Sequence, residues 1–298
     1  MTYKPRRIMR YGETYHKSWS ELQKTYDNKI ERHIITELLP NEGDWFIDIA
    51  GGFGRMADLY LNRFKNCVLV DYSPELLQVA QERYKEATNL NYVLADAYYL
   101  PFRSNSFDAS IMVRLLHHLQ DPNVTFKEVA RILRGGARLV TNYRNRRDIR
   151  NIVRYLLKLP NCGPFEVAHS DPTGRNQLQA FTHPSIAKEW FRKASFVIKK
   201  ERGSSFFGGK ILHVFKNTTK FEAWLSPLLG KTKLSPLVFF NLEVDKISNS
   251  EKSDKRDNLQ DIIVCPLCKG DLFVEPKSYQ CRSCKHEFPV VDGMIDLR

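Results

Sequence analysis

The chain has 298 residues, of which 42% are hydrophobic and 12% aromatic, and a formal net charge of +12. That is enough apolar material for a packed core, which excludes a disordered polypeptide. No apolar run approaches the roughly 20 residues of a membrane-crossing helix, and Met1–Arg7 is basic without an apolar stretch behind it, so no secretory signal is visible. A soluble cytoplasmic protein is expected, built as one large α/β domain plus a small module. The charge is uneven. Residues 260–298 hold five Lys/Arg against six Asp/Glu, so the rest of the chain carries +13. Such an excess suits phosphate-bearing or anionic-membrane partners, and it also occurs in enzymes that have neither.

Residues 1–20 are basic and aromatic without clear periodicity, and include Tyr11, Tyr15, His16 and Trp19. From about Ser20 to Leu39, Leu22, Tyr26, Ile30, Ile34 and Leu38 recur at helical spacing until Pro40-Asn41 ends the run. A turn at Gly43-Asp44 then leads into a buried strand, followed by Asp48-Ile-Ala-Gly-Gly-Phe-Gly54 and a helical pattern from Arg55 to Leu61. Strand, glycine-rich turn and helix open a nucleotide-binding βαβ unit, although glycine turns also serve packing alone. A second strand, Cys67–Asp71, ends in a carboxylate 23 positions after Asp48, near the interval at which a ribose-binding acid follows such a turn. Ser73-Pro74-Glu75 already supplies the cap, first-turn proline and first-turn acid of the next helix, which leaves Asp71 for other work.

A third strand, Asn91–Ala95, ends in Asp96-Ala97, and a fourth, Phe107–Val113, runs into Leu115-Leu116-His117-His118. Pro122 starts a helix with Val124, Val129, Ile132 and Leu133 as its apolar set, and Arg138–Asn142 is a fifth strand. Asp48–Gly54, Asp71, Asp96-Ala97, Phe107-Asp108, His117-His118 and the segment from Glu128 through Arg134-Gly135-Gly136 together resemble the class I S-adenosylmethionine-dependent methyltransferases of the type-11-like group, over most of residues 30–200. The family usually has glycine where this chain has Ala50, the smallest side chain able to replace it.

The resemblance implies an α/β, doubly wound, Rossmann-like, seven-stranded methyltransferase sheet over residues 1–246, with its core at 30–200. It assigns Ala50, Gly51, Gly52 and Gly54 to the methionine and ribose side of the cofactor and Asp48 to the turn and the amino group. It further assigns Asp71 to the ribose hydroxyls, Asp96 to the adenine amine and Ala97 to a backbone contact, and counts Tyr72 among the cofactor-binding residues. Arg114, Leu115, His117 and His118 would stand toward the acceptor, with Arg114 also counted for the cofactor and His117 or His118 as base. The segment before the first strand often folds over this pocket in the family, so Tyr11, Tyr15 and His16 are candidates to face the ligand. No Asn-Pro-Pro-Tyr motif of the amino-methylating nucleic-acid enzymes is present, and no cysteine stands where a pyrimidine carbon-5 enzyme needs its nucleophile.

Beyond the fifth strand, Ile149, Ile152, Val153, Leu156 and Leu157 form one helical stripe, while Arg147, Arg150, Arg154 and Lys158 follow another. One face in the core and the other in water is the ordinary reading. Contact with RNA or an anionic surface is the alternative. Residues 160–182 read as a lid or binding loop, and Thr182 as the cap of a helix carrying Ile186, Trp190 and Phe191. A sixth strand enters at Ser195–Ile198, Lys210–Leu229 reads as helix, and Pro236–Val244 as an antiparallel last strand.

The polar stretch 247–259 reads as a flexible linker to a zinc ribbon over 260–298. Cys265-Pro-Leu-Cys268 and Cys281-Arg-Ser-Cys284 stand 12 residues apart, the spacing of two knuckles that give four thiolates to one structural zinc. Two disulfides or an iron centre are the alternatives. The set is complete without His286. The tail from Phe288 to Asp296 resembles the zinc ribbon of the small methyltransferase-activator proteins, whose implied roles are stabilising a methyltransferase or contacting its substrate. With its own core, the main domain is expected to fold and bind cofactor without the ribbon. Three functions fit: a methyltransferase acting on a small metabolite or lipid-like acceptor, one acting on RNA, or a non-catalytic binding protein.

Overall fold

The structure, a computed structural model, describes residues 26–170, 179–206, 218–246, 256–276 and 278–298. Tyr11, Tyr15, His16 and the start of the first predicted helix lie outside them, as does most of the predicted linker. In chain order the elements are α1 (Tyr26–Leu38), β1 (Gly43–Ile49), β2 (Phe64–Asp71), α2 (Pro74–Arg83), β3 (Leu90–Ala95), β4 (Phe107–Met112), α3 (Pro122–Ile132), β5 (Leu133–Arg144) and α4 (Ile149–Leu156). There follow β6 (His169–Ser170), β7 (Phe181–Thr182), α5 (Pro184–Lys193), β8 (Phe196–Ser204), α6 (Thr218–Thr232) and β9 (Leu237–Val244). The ribbon comprises α7 (Leu259–Ile262), β10 (Leu272–Val274), β11 (Ser278–Cys281), β12 (Glu287–Val291) and β13 (Met294–Leu297).

Seven strands lie in the order β3-β2-β1-β4-β5-β9-β8. Strands β1 to β5 pair in parallel, and β9 runs antiparallel to both β5 and β8. Successive side chains point to opposite faces, so Trp45, Ile47 and Ile49 enter one apolar layer with α3 and α5, while Phe46 enters the other with α1 and α2. Strand order reverses between β1 and β4, and the crevice at the C-terminal ends there is where open α/β sheets bind ligands.

Local departures from the sequence pattern have local causes. Between Gly54 and β2, which begins at Phe64 rather than Cys67, there is no regular α-helix. Tight turns follow one another instead, with a 3-10 turn at Ala57–Leu59. Tyr60 is fixed by stacking on Phe46 and by a hydrogen bond to Asp48, and only nine residues are available to reach β2. Helix α5 is capped by His183, not Thr182, because Thr182 is engaged in β7 opposite His169. The stripe Ile149–Leu157 does not enter the core: from Val153 onward α4 and the residues after it are exposed.

The ribbon joins the main sheet. Strand β13 pairs in parallel with β3, Ile295 opposite Val93, Asp296 opposite Leu94 and Leu297 opposite Ala95, which extends the sheet through β12, β11 and β10. Ile262, Ile263, Phe288, Ile295 and Leu297 belong to the same apolar cluster as Trp45 and Phe102. Phe102 bridges to Ile263, Arg103 pairs with Asp271, and the Trp45 indole N–H donates to the Arg256 carbonyl. The sequence suggests two units on a polar tether; the ribbon instead shares one sheet and one apolar core with the rest. Leu297→Ala, at a side chain 1% exposed, should therefore cost about 2–5 kcal/mol and lower the melting temperature of the whole chain in a single transition. A main-domain transition left unchanged by this substitution would show that the ribbon melts by itself.

Candidate functional site

The ends of β1, β2 and β3 bring Asp48, Asp71 and Asp96 to one cleft that opens to solvent. Ala50, Gly51, Gly52, Tyr72, Ala97, Arg114, Leu115 and His118 also line it. The turn after β1 is left-handed at Ala50 (φ 57°) and at Gly52 (φ 55°). An alanine tolerates this conformation at a cost on the order of 1–2 kcal/mol. Gly51 answers to a different constraint: a Cβ there would stand 2.7 Å from the Asp48 carboxyl carbon. Asp71 Oδ2 accepts from the Gly52 amide at 2.8 Å and Oδ1 from the Ser73 amide at 2.9 Å, so the β2 carboxylate fixes the glycine turn from the neighbouring strand.

Two predicted site residues lie off the cleft wall. Gly54 gives its carbonyl to the Tyr84 hydroxyl at 2.9 Å, and the Tyr84 ring occupies the space a Cβ would need. His117 lies against His118 with ring centroids 3.9 Å apart, and its carbonyl accepts from the Ala180 amide. Burial first, then the neighbouring charges of His118, Arg144, Arg114 and His169, hold the His117 imidazole well below the usual histidine range. Of the two histidines, His118 is the one that reaches the cleft.

One part of the site was not announced by the sequence. Glu31 of α1, fully buried, pairs with both Arg55 and Arg114. Arg55 also donates to Asn28 Oδ1 at 2.7 Å, and the Arg114 amide donates to Asn142 Oδ1 at 2.8 Å. Burial alone would raise the Glu31 carboxyl, but the two guanidiniums outweigh it and hold the group below the carboxylate range. Arg55 and Arg114 both border the cleft. The available signal was a glutamate beside Ile30 and Ile34 in an apolar helix stripe, and an arginine directly after the glycine turn.

In the ribbon, the sulfur atoms of Cys265, Cys268, Cys281 and Cys284 lie within 4.8 Å of one another. The two loops have matching geometry: Lys269 (φ 60°) and Lys285 (φ 62°) are left-handed, and each amide returns to the carbonyl of the first or third cysteine four residues earlier. Four thiols so placed fit a tetrahedral thiophilic ion.

Residues 47–141 match the family described as methyltransferase domain, and residues 256–293 match the Trm112p-like proteins. A protein of Methanocaldococcus jannaschii is 32% identical over 160 residues, covering 52% of this chain and 60% of its own length. The demethylmenaquinone methyltransferase of Paenarthrobacter aurescens is 32% identical over 110 residues, covering 37% and 42%. This chain thus spans about half the length of these relatives. Among solved structures, one from the complex between the Haloferax volcanii Trm112 methyltransferase activator and its methyltransferase superposes with a TM-score of 0.55 at 16% identity, covering 78% of this chain and 96% of that one. An S-adenosylmethionine-dependent methyltransferase fold from Listeria monocytogenes gives 0.57 at 13%, covering 74% and 100%.

The strand order, with its cleft at the switch point, is that of the class I methyltransferase fold. Residues 47–141 match a methyltransferase domain of the type-11 kind, and a Trm112p-like ribbon follows it.

One electrostatic consequence concerns Asp48. Burial pushes its carboxyl up to about 7; the Tyr60 hydrogen bond and Arg55 oppose the rise, while Asp71 adds to it. Its unfolded value is near 4. The protonated form therefore favours the fold, by an amount on the order of 4 kcal/mol that is fully present below about pH 4 and lost as pH rises through about 7. Against wild type in the ligand-free state, the melting temperature of Asp48→Asn should shift in the variant's favour across that window. A difference that stays constant from pH 4 to 8 would remove the raised carboxyl.

Proposed function

We propose that the chain transfers a methyl group from S-adenosylmethionine to a small, lipid-like acceptor. The observation that carries this reading is that Asp48, Asp71 and Asp96 line the same cleft as Arg55 and Arg114. A ligand with cationic, hydroxyl-bearing and anionic parts meets complementary groups there. When bound, the cofactor supplies an electrophilic methyl on a sulfonium, and the protein's part is to place the acceptor in line with it. Asp71, already oriented by two backbone amides, has lone pairs left for the ribose hydroxyls. Asp96 stands one strand further, toward the adenine, with Ala97 beside it. Asp48 faces the positive end of the methionine moiety, and Arg55 and Arg114 its carboxylate. His118 lies on the acceptor side, able to take a proton from a hydroxyl or carbon acid.

Quinone biosynthesis appears in the names of relatives, among them a ubiquinone biosynthesis O-methyltransferase of Coxiella burnetii, 26% identical over 164 residues. This supports an apolar aromatic acceptor. The ribbon, on this reading, does within the chain what a separate Trm112 methyltransferase activator does in the Haloferax complex. Neighbours of this fold also include the [4+2]-cyclase SpnF, at a TM-score of 0.51 and 17% identity, so transfer itself has to be measured.

Incubation with methyl-labelled cofactor and either a lipid extract or total RNA should place label in the lipid fraction. Label in RNA would overturn the acceptor class, and absence of label with cofactor still bound would leave a binding protein. Asp71→Ala should weaken S-adenosylhomocysteine binding about 10- to 150-fold in calorimetry, the loss expected for hydrogen bonds to a charged acceptor. An unchanged affinity would take Asp71 out of the site.

The four cysteines would hold one structural zinc, with no position open for catalysis. Purified protein should contain one equivalent by elemental analysis, and Cys281→Ser should release it and lower the melting temperature. Metal-replete protein without zinc would sink the assignment.

A further inference from the structure

Helix α4 is seated inside out. Asn151 is its buried residue: its amide nitrogen donates to the Arg146 carbonyl at 2.6 Å and its Oδ1 accepts from the Cys162 amide at 3.0 Å. Asp148 caps the helix by accepting from the Arg150 and Asn151 amides. The polar Asn151 thus holds the helix to the protein; Ile149 and Ile152 are half-buried, and the apolar residues from Val153 onward face outward. Leu156 is 68% exposed and Leu157 64%, with Val153 and Leu159 exposed beside them. Phe165 and Val167, on the loop that follows, are exposed too, and Phe165 packs edge-on against Tyr155. Scattered exposed apolar residues need no explanation, but a contiguous cluster does.

The flanking charge says what covers it. Within the helix Ile149, Ile152, Val153 and Leu156 share one arc and Arg150 and Arg154 another, while Arg147 precedes the helix and Leu157, Lys158 and Leu159 follow its last turn. All four basic residues are exposed. The nearby acids are already engaged: Asp148 in the cap and against Arg150, Glu166 with Arg146. An aliphatic ridge bordered by cations is the pattern of a helix lying in a membrane interface. RNA would engage the cations but leaves no place for the exposed leucines. Helix α4 also follows directly on the C-terminal end of β5, the same end of the sheet at which the cleft opens.

We infer that α4 and the Phe165–Val167 loop form a docking surface for an anionic lipid bilayer, with Leu156, Leu157 and Phe165 entering the acyl boundary and Arg147, Arg150, Arg154 and Lys158 meeting lipid phosphates. A bilayer held there would face the mouth of the cleft, so that an apolar acceptor reaches it without crossing water. This surface stands independently of the methyl-transfer reading, because binding is measured without turnover.

The test is sedimentation of the full chain with phosphatidylcholine vesicles and with vesicles also containing phosphatidylglycerol. Binding is expected to the second kind and not the first, reduced but not abolished by raised salt. Leu156→Ser with Leu157→Ser, at outward-facing positions, should leave the melting temperature unchanged and weaken vesicle binding about tenfold or more. Arg150→Glu with Arg154→Glu should weaken it as well. Three results overturn the proposal: no binding to anionic vesicles, binding indifferent to the leucine substitutions, or competition by RNA that the arginine variants alone abolish.

Discussion

A single buried carboxylate sets the geometry of the cleft. Glu31 has no exposure of its own and lies between two guanidiniums that come from different parts of the fold, Arg55 at the glycine turn and Arg114 after β4. A carboxylate taken out of water without partners would cost several kcal/mol, and with one partner removed the other would be left uncompensated. Once α1 packs, the turn and the end of β4 are therefore held at fixed separation across the strand-order switch. The residue at that corner, Arg114, adopts a left-handed conformation (φ 59°), with its amide given to Asn142 of β5. Strain in one residue is sustained because three elements determine its place.

The ribbon is tied to this corner from the other side. Arg298 donates to the Tyr72 carbonyl at 3.1 Å, lies over the Tyr72 ring at 5.2 Å, and is itself held by Asp296. Tyr72 follows Asp71 and lines the cleft. The path from the cysteine cluster to Asp71 is short: Cys281 ends β11, β12 and β13 follow, and Arg298 reaches the loop where Asp71 meets the glycine turn. Order in the cysteine cluster thus bears on order in the loop after β2 through backbone pairing.

How much of this was legible depended on the range of the interaction. The glycine turn, the acids at strand ends, the Ser73 cap and the cysteine knuckles are local patterns in which residue type and spacing carry the chemistry, and all were readable. The reversal at β9, too, showed as an apolar run at Leu237–Val244. What the chain did not show are pairings between distant residues. Glu31 looks like any surface glutamate until Arg114, 83 positions away, closes on it. The periodicity of α4 is genuine, yet periodicity says which residues share a face and not which way the face turns; Asn151 and Cys162 decide that. The short path to β2 was masked by apolar residues at Met56, Leu59 and Tyr60, which pack without a regular helix.

Strand β13 has one more effect. A sheet edge is a row of unsatisfied donors and acceptors, open to any strand that fits. When a separate protein fills such an edge, occupancy falls on dilution and depends on how much of that protein is made. Here the strand arrives on the same polypeptide, so its concentration near β3 is set by chain length and not by supply. Every copy of the main sheet is born with its own edge covered, in one-to-one proportion at any level of expression. The β3 edge is correspondingly closed to a second ribbon.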